Sequence, residues 1–316
     1  MIKRYRSILL GVVVLFASCG INAEKSNSAD VDEELEEVIR GHVESIGNPG
    51  ALAGIKVRGI SGTALVDFIQ GGTGKMSGQA LFVSERKRLG IILRYGANEY
   101  PGEHFAFDGS EVTVGYISPG QRSPLADFVY RYGGLLKEGL LGGVMSLKWP
   151  LLDVDKSMAR LKYKGKKKID GVDAHEVEYR YSNGKMGDVS TKLYFTAETF
   201  HHIRTEYIVR IQGEMSLQAD ASVMESGLPS PSGLTSGSGV RSASIHDVVP
   251  DSIYKLVEVF SDFRKVDDMV LPQKYVLEYS VEGQGSTFLA NWTIIANQWM
   301  HTGKVDASFF RAPEFR

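Results

Sequence analysis

The chain is predicted to be mainly β (α+β): a single large antiparallel sheet with one N-terminal helix and one helical insertion. Residues 161–211 hold three runs of alternating apolar and polar residues, the plainest being His175-Glu176-Val177-Glu178-Tyr179-Arg180-Tyr181. A period of two sorts those side chains onto a dry and a wet face, which a helix cannot do. Asp170-Gly171 and Asn183-Gly184, pairs that tolerate the positive φ of tight hairpins, bracket this run. Similar runs recur on both sides of the meander, and only two stretches, near 33–46 and 123–148, switch to helical spacing.

Taken in order, Lys3, Arg4 and Arg6 precede an apolar core, residues 8–16, and the small-residue stretch Ala17-Ser18-Cys19-Gly20. This is the pattern of a secretory signal peptide over residues 1–18, and its apolar core is far shorter than the ~20 residues of a membrane-spanning helix. Cys19 is the only cysteine, so an internal disulfide is excluded. Its position resembles that of the acylated cysteine in a bacterial lipoprotein signal, with Phe16 where Leu is usual. Ile21-Asn22-Ala23 offers a competing ordinary cleavage site. With 36 basic and 38 acidic residues the formal charge is −2, and loss of the leader's three cations takes the mature chain to −5. Nucleic acid is therefore not expected as a partner.

Residues 19–32 read as a polar tether. Asp30 and Glu33 have capping-box spacing, and Leu35, Val38, Ile39, His42, Val43 and Ile46 follow at helical intervals up to Gly47. His42 lies on that apolar stripe without a second ligand-type residue, so it is assigned to packing. Strands are predicted at 57–70, 78–85, 89–95, 104–107 and 111–116. Gly72-Thr73-Gly74-Lys75 lacks the Ser or Thr of a phosphate loop and is read as a hairpin tip.

Ser123-Pro124, a good N-cap followed by a good first helical residue, opens the insertion, 123–148. Leu125, Phe128, Val129 and Tyr132 form one stripe. Gly133-Gly134 interrupts it, and Leu136, Leu140, Leu141, Val144 and Met145 continue on a second segment as far as Trp149-Pro150. The lysines of 162–168 are read as a solvated turn, with contact to anionic lipid headgroups as the alternative. Residues 226–247, rich in Ser, Gly and Pro, are read as a mobile loop within one domain, 33–300. Strands resume at 252–263, 270–281 and 286–297, and 301–316 is a tail without pattern.

No Gly-x-Ser-x-Gly elbow occurs, and the one thiol stands at the acylation position. His201-His202 is the only close histidine pair, and neighbours on a strand point to opposite faces, so neither a metal site nor a cofactor is expected. Asn291-Trp292-Thr293 sits within a strand and is read as structural, and Asp267-Asp268 as a turn.

Three segments occur in one order: Phe105-Ala106-Phe107-Asp108-Gly109, then 165–194 with its Ile169-Asp170-Gly171-Val172 turn running into Leu193-Tyr194-Phe195, then Asp262-Phe263-Arg264-Lys265-Val266 before Leu271-Pro272. Together they resemble the LolA/LolB superfamily over about residues 33–297. The resemblance implies an incomplete antiparallel β-barrel, a half-barrel, lidded by helices around an acyl chain or another hydrophobic ligand. It supplies no catalytic residue. The lid is expected at 125–145, with Leu125, Phe128, Val129, Tyr132, Leu136, Leu140, Leu141, Val144 and Met145 facing the cavity and Gly133-Gly134 as hinge, an ordinary core helix pair being the alternative.

The expected function is that of a non-enzymatic envelope lipoprotein, anchored through Cys19, that binds an acyl chain, a lipid or a lipidated protein in lipid or lipoprotein transport. The expected location is the periplasmic side of a Gram-negative-type membrane, the outer one, with a soluble periplasmic form as the alternative. The second functional reading is a structural or sensory lipoprotein that binds a protein partner through its sheet, and the third is a secreted hydrolase.

Overall fold

The computed structural model describes residues 28–72, 74–153, 158–181, 189–211, 252–283 and 286–313. Cys19, Asn183-Gly184 and the 226–247 stretch lie outside them. Helices α1 (Ser28–Ile46) and α2 (Pro49–Gly54) precede strands β1 (Val57–Gln70), β2 (Gly74–Glu85), β3 (Leu89–Tyr95), β4 (Gly102–Phe107) and β5 (Val112–Val114). After the insertion come β6 (Leu161–Ile169), β7 (Val172–Tyr179), β8 (Ser190–Thr196) and β9 (His202–Ile211), then β10 (Ser252–Val266), β11 (Met269–Gly283) and β12 (Ser286–Met300).

All twelve strands form one antiparallel sheet in the order β5-β4-β3-β2-β1-β12-β11-β10-β9-β8-β7-β6. Each half is a meander of sequence neighbours. The single long-range junction is β1 against β12, with Ala64 opposite Ile294 and Val66 opposite Trp292. β5 and β6 remain as edges, so the sheet is the open, mainly-β half-barrel that the sequence predicts. The hairpin between β6 and β7 turns on Asp170 (φ 49°) and Gly171 (φ 88°), the left-handed pair that matches the twist of adjoining strands.

One parity of every long strand is buried on the inner face: Ile60, Ala64 and Val66 of β1, Phe82 of β2, Ile91 and Leu93 of β3, Val177 and Tyr179 of β7, Leu256 and Phe260 of β10, Tyr275 and Leu277 of β11, and Trp292 and Ile294 of β12. The insertion fills the hollow they make. Within it, α3 (Pro124–Arg131) is capped by Ser123, whose Oγ accepts from the Ala126 amide at 2.9 Å. α4 (Gly134–Glu138) follows, then 3-10 turns at Gly143–Met145 and Pro150–Leu152. Helix α1 lies beside β6 and β11.

Four local expectations are corrected. The helix α1 starts at Ser28, ahead of the Asp30 cap read from the sequence. The 162–168 lysines are not a turn: they lie on edge strand β6, where Lys164 pairs with Glu178 and Lys167 with Glu176. Glu176, expected on a wet face, is buried on the outer side because Lys167 and Lys192 close over it at 2.6 and 3.1 Å. The second helical segment of the insertion is one short helix, since left-handed Gly139, Gly142 and Gly143 redirect the chain before the residues that were to continue it. The tail, unpatterned in sequence, packs on the sheet: Phe310 is fully buried with the Arg88 guanidinium 4.3 Å above its ring, and the Ala312 amide donates to Thr113 Oγ1.

Candidate ligand-binding site

The insertion contributes no strand, yet it covers the inner face. Leu125, Phe128, Val129, Leu136, Leu140, Leu141 and Met145 all join the main core, each 2% exposed or less. Val144 belongs to a smaller neighbouring cluster with Ile46, Met269 and Leu271. Tyr132 caps α3 and is half-buried, its ring 4.9 Å from that of Phe128. The structure thus brings eight of the nine residues together in or against the main core and sets Val144 apart. Gly133 has right-handed helical angles (φ −57°, ψ −14°). Gly142 (φ 85°) and Gly143 (φ 45°) are left-handed, and a Cβ on either would lie within 3 Å of the Phe82 ring or of the Phe260 and His202 rings.

Three buried charged side chains hold the insertion. At its start, Glu103 of β4 accepts from the hydroxyls of Ser123 and Tyr100, both at 2.5 Å, and Trp292 Nε1–H donates to the same tyrosine oxygen. In its middle, Glu258 of β10 accepts from the Gly142 amide (2.7 Å), Tyr207 (2.6 Å) and Tyr275 (2.5 Å). Beyond that, Arg58 of β1 donates to the Val144 carbonyl at 2.8 Å and the Met145 carbonyl at 3.4 Å, and lies 3.1 Å from Met269 Sδ. Arg58 is fully buried and no carboxylate pairs with it among the described residues. Its charge is neutralised by backbone dipoles of the insertion, an expensive arrangement that disappears if the insertion leaves. Burial lowers its pKa to about 10, so it stays charged at neutral pH.

An aromatic joint closes the far end. Trp149 is 1% exposed, stacks on His202 (4.7 Å, 19°) and donates through Nε1 to His42 Nε2 at 3.0 Å. His42 Nδ1–H in turn donates to the Phe200 carbonyl at 3.1 Å. Accepting an indole N–H requires a lone pair, so His42 is neutral, in line with burial lowering its pKa to about 4. His202 is also neutral, driven well below the usual range by burial, and its Nδ1 has no hydrogen-bond partner among the described residues. His201 points the other way and stacks on Phe263.

Sequence reading missed Arg58, Glu103, Glu258, Trp149 and His202 as site residues. The signal available was parity: Arg58 shares its face with Ile60, Glu103 with Phe105, and Glu258 with Leu256 and Phe260, each a charge on the apolar side of its strand.

Burial raises the carboxyls of Glu103 and Glu258 to about 7. A carboxyl raised in the folded state takes up a proton on folding, so its contribution is greatest below about pH 4.5 and is lost as pH rises towards 7. The buried histidines act in the opposite sense, losing stability as pH falls through 6.5. Comparison with Glu258→Gln cancels every other group. Wild type should lose about 3 kcal/mol relative to that variant between pH 4.5 and 8. Urea unfolding across this range checks it, and a constant difference would show that Glu258 titrates normally in the folded protein.

No family model and no curated protein matches this chain. Among solved structures it is similar to LolA superfamily protein NE2245 from Nitrosomonas europaea, at 10% identity and TM-score 0.41, covering 87% of this chain and 96% of that one. It is also similar to a putative outer membrane lipoprotein-sorting protein domain from Vibrio parahaemolyticus, at 7% identity and TM-score 0.40, covering 90% and 97%. The Pseudomonas aeruginosa MucA/MucB complex aligns at 12% identity and TM-score 0.20, covering 84% and 93%.

Proposed function

We propose that this protein is a non-enzymatic envelope lipoprotein that binds a hydrophobic ligand, an acyl chain, a lipid or a lipidated protein, in lipid or lipoprotein transport. The ligand lies on the inner face of the half-barrel, and residues 125–145 are its lid, turning about Gly133-Gly134. The observation that carries this reading is the construction of the insertion. It shares with α1 the apolar cover of the inner face without adding a strand, and polar latches on β1, β4 and β10 fix it in place. A segment attached this way can leave without breaking the ladder, as a lid must. Each methylene of an acyl chain that replaces it on the inner face contributes about 0.8 kcal/mol.

Among the described residues no histidine bridges a hydroxyl and a carboxylate: His42 meets Phe200 and Trp149, His104 the Phe309 carbonyl, His175 Tyr163, His201 Thr199, His202 Thr205 and His301 Asp267. Native mass spectrometry of protein taken from its own membranes tests the binding reading. A lipid adduct that exchanges with labelled lipid is expected, and protein free of lipid that takes up none would overturn it.

A second reading, a structural or sensory lipoprotein docking a protein partner, is favoured by β6, a nine-residue edge strand. Its lysines and the left-handed Gly165 blunt that edge, which places this reading second. In either case Cys19 is the proposed acylated residue and the outer membrane the proposed location. Cys19→Ser should abolish fatty-acid labelling and move the protein to the soluble fraction, whereas unchanged fractionation would assign cleavage after Ala23.

A further inference from the structure

We infer that the ligand is an anionic, phosphate-headed amphiphile, and that it enters at the seam between α2 and the end of the insertion, with its head group held by Lys56, Arg86 and Lys87. This rests on the hydrophobic-ligand reading and names the ligand class.

Two cavities adjoin at that seam and share Arg86. The first, about 530 Å³, has an apolar wall of Val43, Leu52, Ile55, Leu147, Pro150 and Leu152, and reaches Trp149. It borders the main core at Trp149 and Leu152 and lies over the smaller cluster of Ile46, Val144, Met269 and Leu271, against which Leu52, Ile55 and Leu152 are only half-buried. A chain inserted there presses on Trp149, whose stacking on His202 closes the insertion's far end.

The second cavity is basic, lined by Lys56, Arg86, Lys87 and Arg88 with Glu85 and Asp108. Both acids are already engaged: Glu85 by Arg88 at 2.6 Å, and Asp108 by backbone amides and by Arg311. Lys56, Arg86 and Lys87 have no carboxylate partner among the described residues, and Arg86 spends one donor on the Ala53 carbonyl at 2.9 Å. Asp153, on the first cavity's wall, has a partner of its own. Three uncompensated cations therefore stand beside an apolar slot in a chain that is acidic overall, which is head-and-tail complementarity to an anionic amphiphile. The β6 lysines differ in being interleaved with Glu176 and Glu178.

Isothermal titration of the full chain with dodecyl phosphate, dodecyl maltoside and inorganic phosphate, the amphiphiles kept below their micelle concentrations, tests this. Dodecyl phosphate should bind at least about tenfold more tightly than dodecyl maltoside at low salt, the gap shrinking as salt is added. The double variant Lys56→Glu, Lys87→Glu, at two exposed positions, should lose that preference and bind dodecyl maltoside as before. Arg86→Gln, changed separately, should narrow the gap in the same direction.

Equal affinities, or a preference that survives the double variant, would overturn the inference while leaving hydrophobic binding intact. Inorganic phosphate that binds the site and competes as well as dodecyl phosphate would overturn it in favour of a free-anion site. A double variant that loses binding to phosphatidylglycerol vesicles but keeps monomeric dodecyl phosphate would make the patch a membrane-docking surface and overturn it too. If neither amphiphile binds, the hydrophobic-ligand reading itself fails.

Discussion

Replacing Leu140 by glutamate should drive the insertion off the inner face while the sheet stays folded. Leu140 is fully buried two residues before Gly142, whose amide is held by Glu258. A carboxylate there would stand in the apolar core, a penalty of several kcal/mol. The chain can relieve it by unfolding everything or by releasing the one segment that is latched and not laddered. The second route leaves all eleven strand pairings intact and is the one a lid would take. Hydrogen exchange should then show amides of 123–149 losing protection while β1, β10, β11 and β12 keep theirs. Ligand should also be held more weakly, because the charge faces it when the lid closes. If the whole protein unfolds cooperatively instead, the insertion is ordinary core and the lid is wrong.

Replacing Trp149 by alanine should cost about 4 kcal/mol of stability. The indole is among the largest fully buried side chains, and its loss leaves a cavity between His202 and the insertion. The same change deprives His42 Nε2 of its donor and so loosens α1, on which His42 sits. Trp149→Phe keeps most of the packing and should cost about 1–2 kcal/mol, mainly the lost hydrogen bond. Urea midpoints for the two variants measure both quantities, with increased exchange in α1 expected for alanine. A cost below about 1 kcal/mol for Trp149→Ala would show that this joint does not anchor the insertion.

The strands were legible because a half-buried antiparallel sheet writes its two faces into the chain. β1, β3 and β9 have the bounds read from alternation alone, and Asp170-Gly171 marks its turn by backbone chemistry. β6 was not, because its five lysines lie on an edge strand, where pairs such as Lys164–Glu178 and Lys167–Glu176, rather than burial, decide the conformation. The insertion was legible as apolar and glycine-rich. What could not be read was why: Gly142 and Gly143 are fixed by the approach of Phe82, Phe260 and His202, residues far away in sequence. Arg58, Glu103 and Glu258 show the same limit, since parity alone marks them as inward while their partners, Val144, Ser123 and Gly142, are known only once the sheet has curved round the insertion.

The central claim is that the inner face, and not the outer surface, takes the hydrophobic ligand when the insertion opens. Cross-linking with a photoreactive long-chain fatty acid, followed by peptide mapping, tests it most directly. The predicted adducts fall on inner-face residues such as Phe82, Phe105 and Leu277 and on the insertion around Leu140 and Met145. Adducts confined to exposed Leu65, Ile69 and Ile295, with none on the insertion, would contradict it.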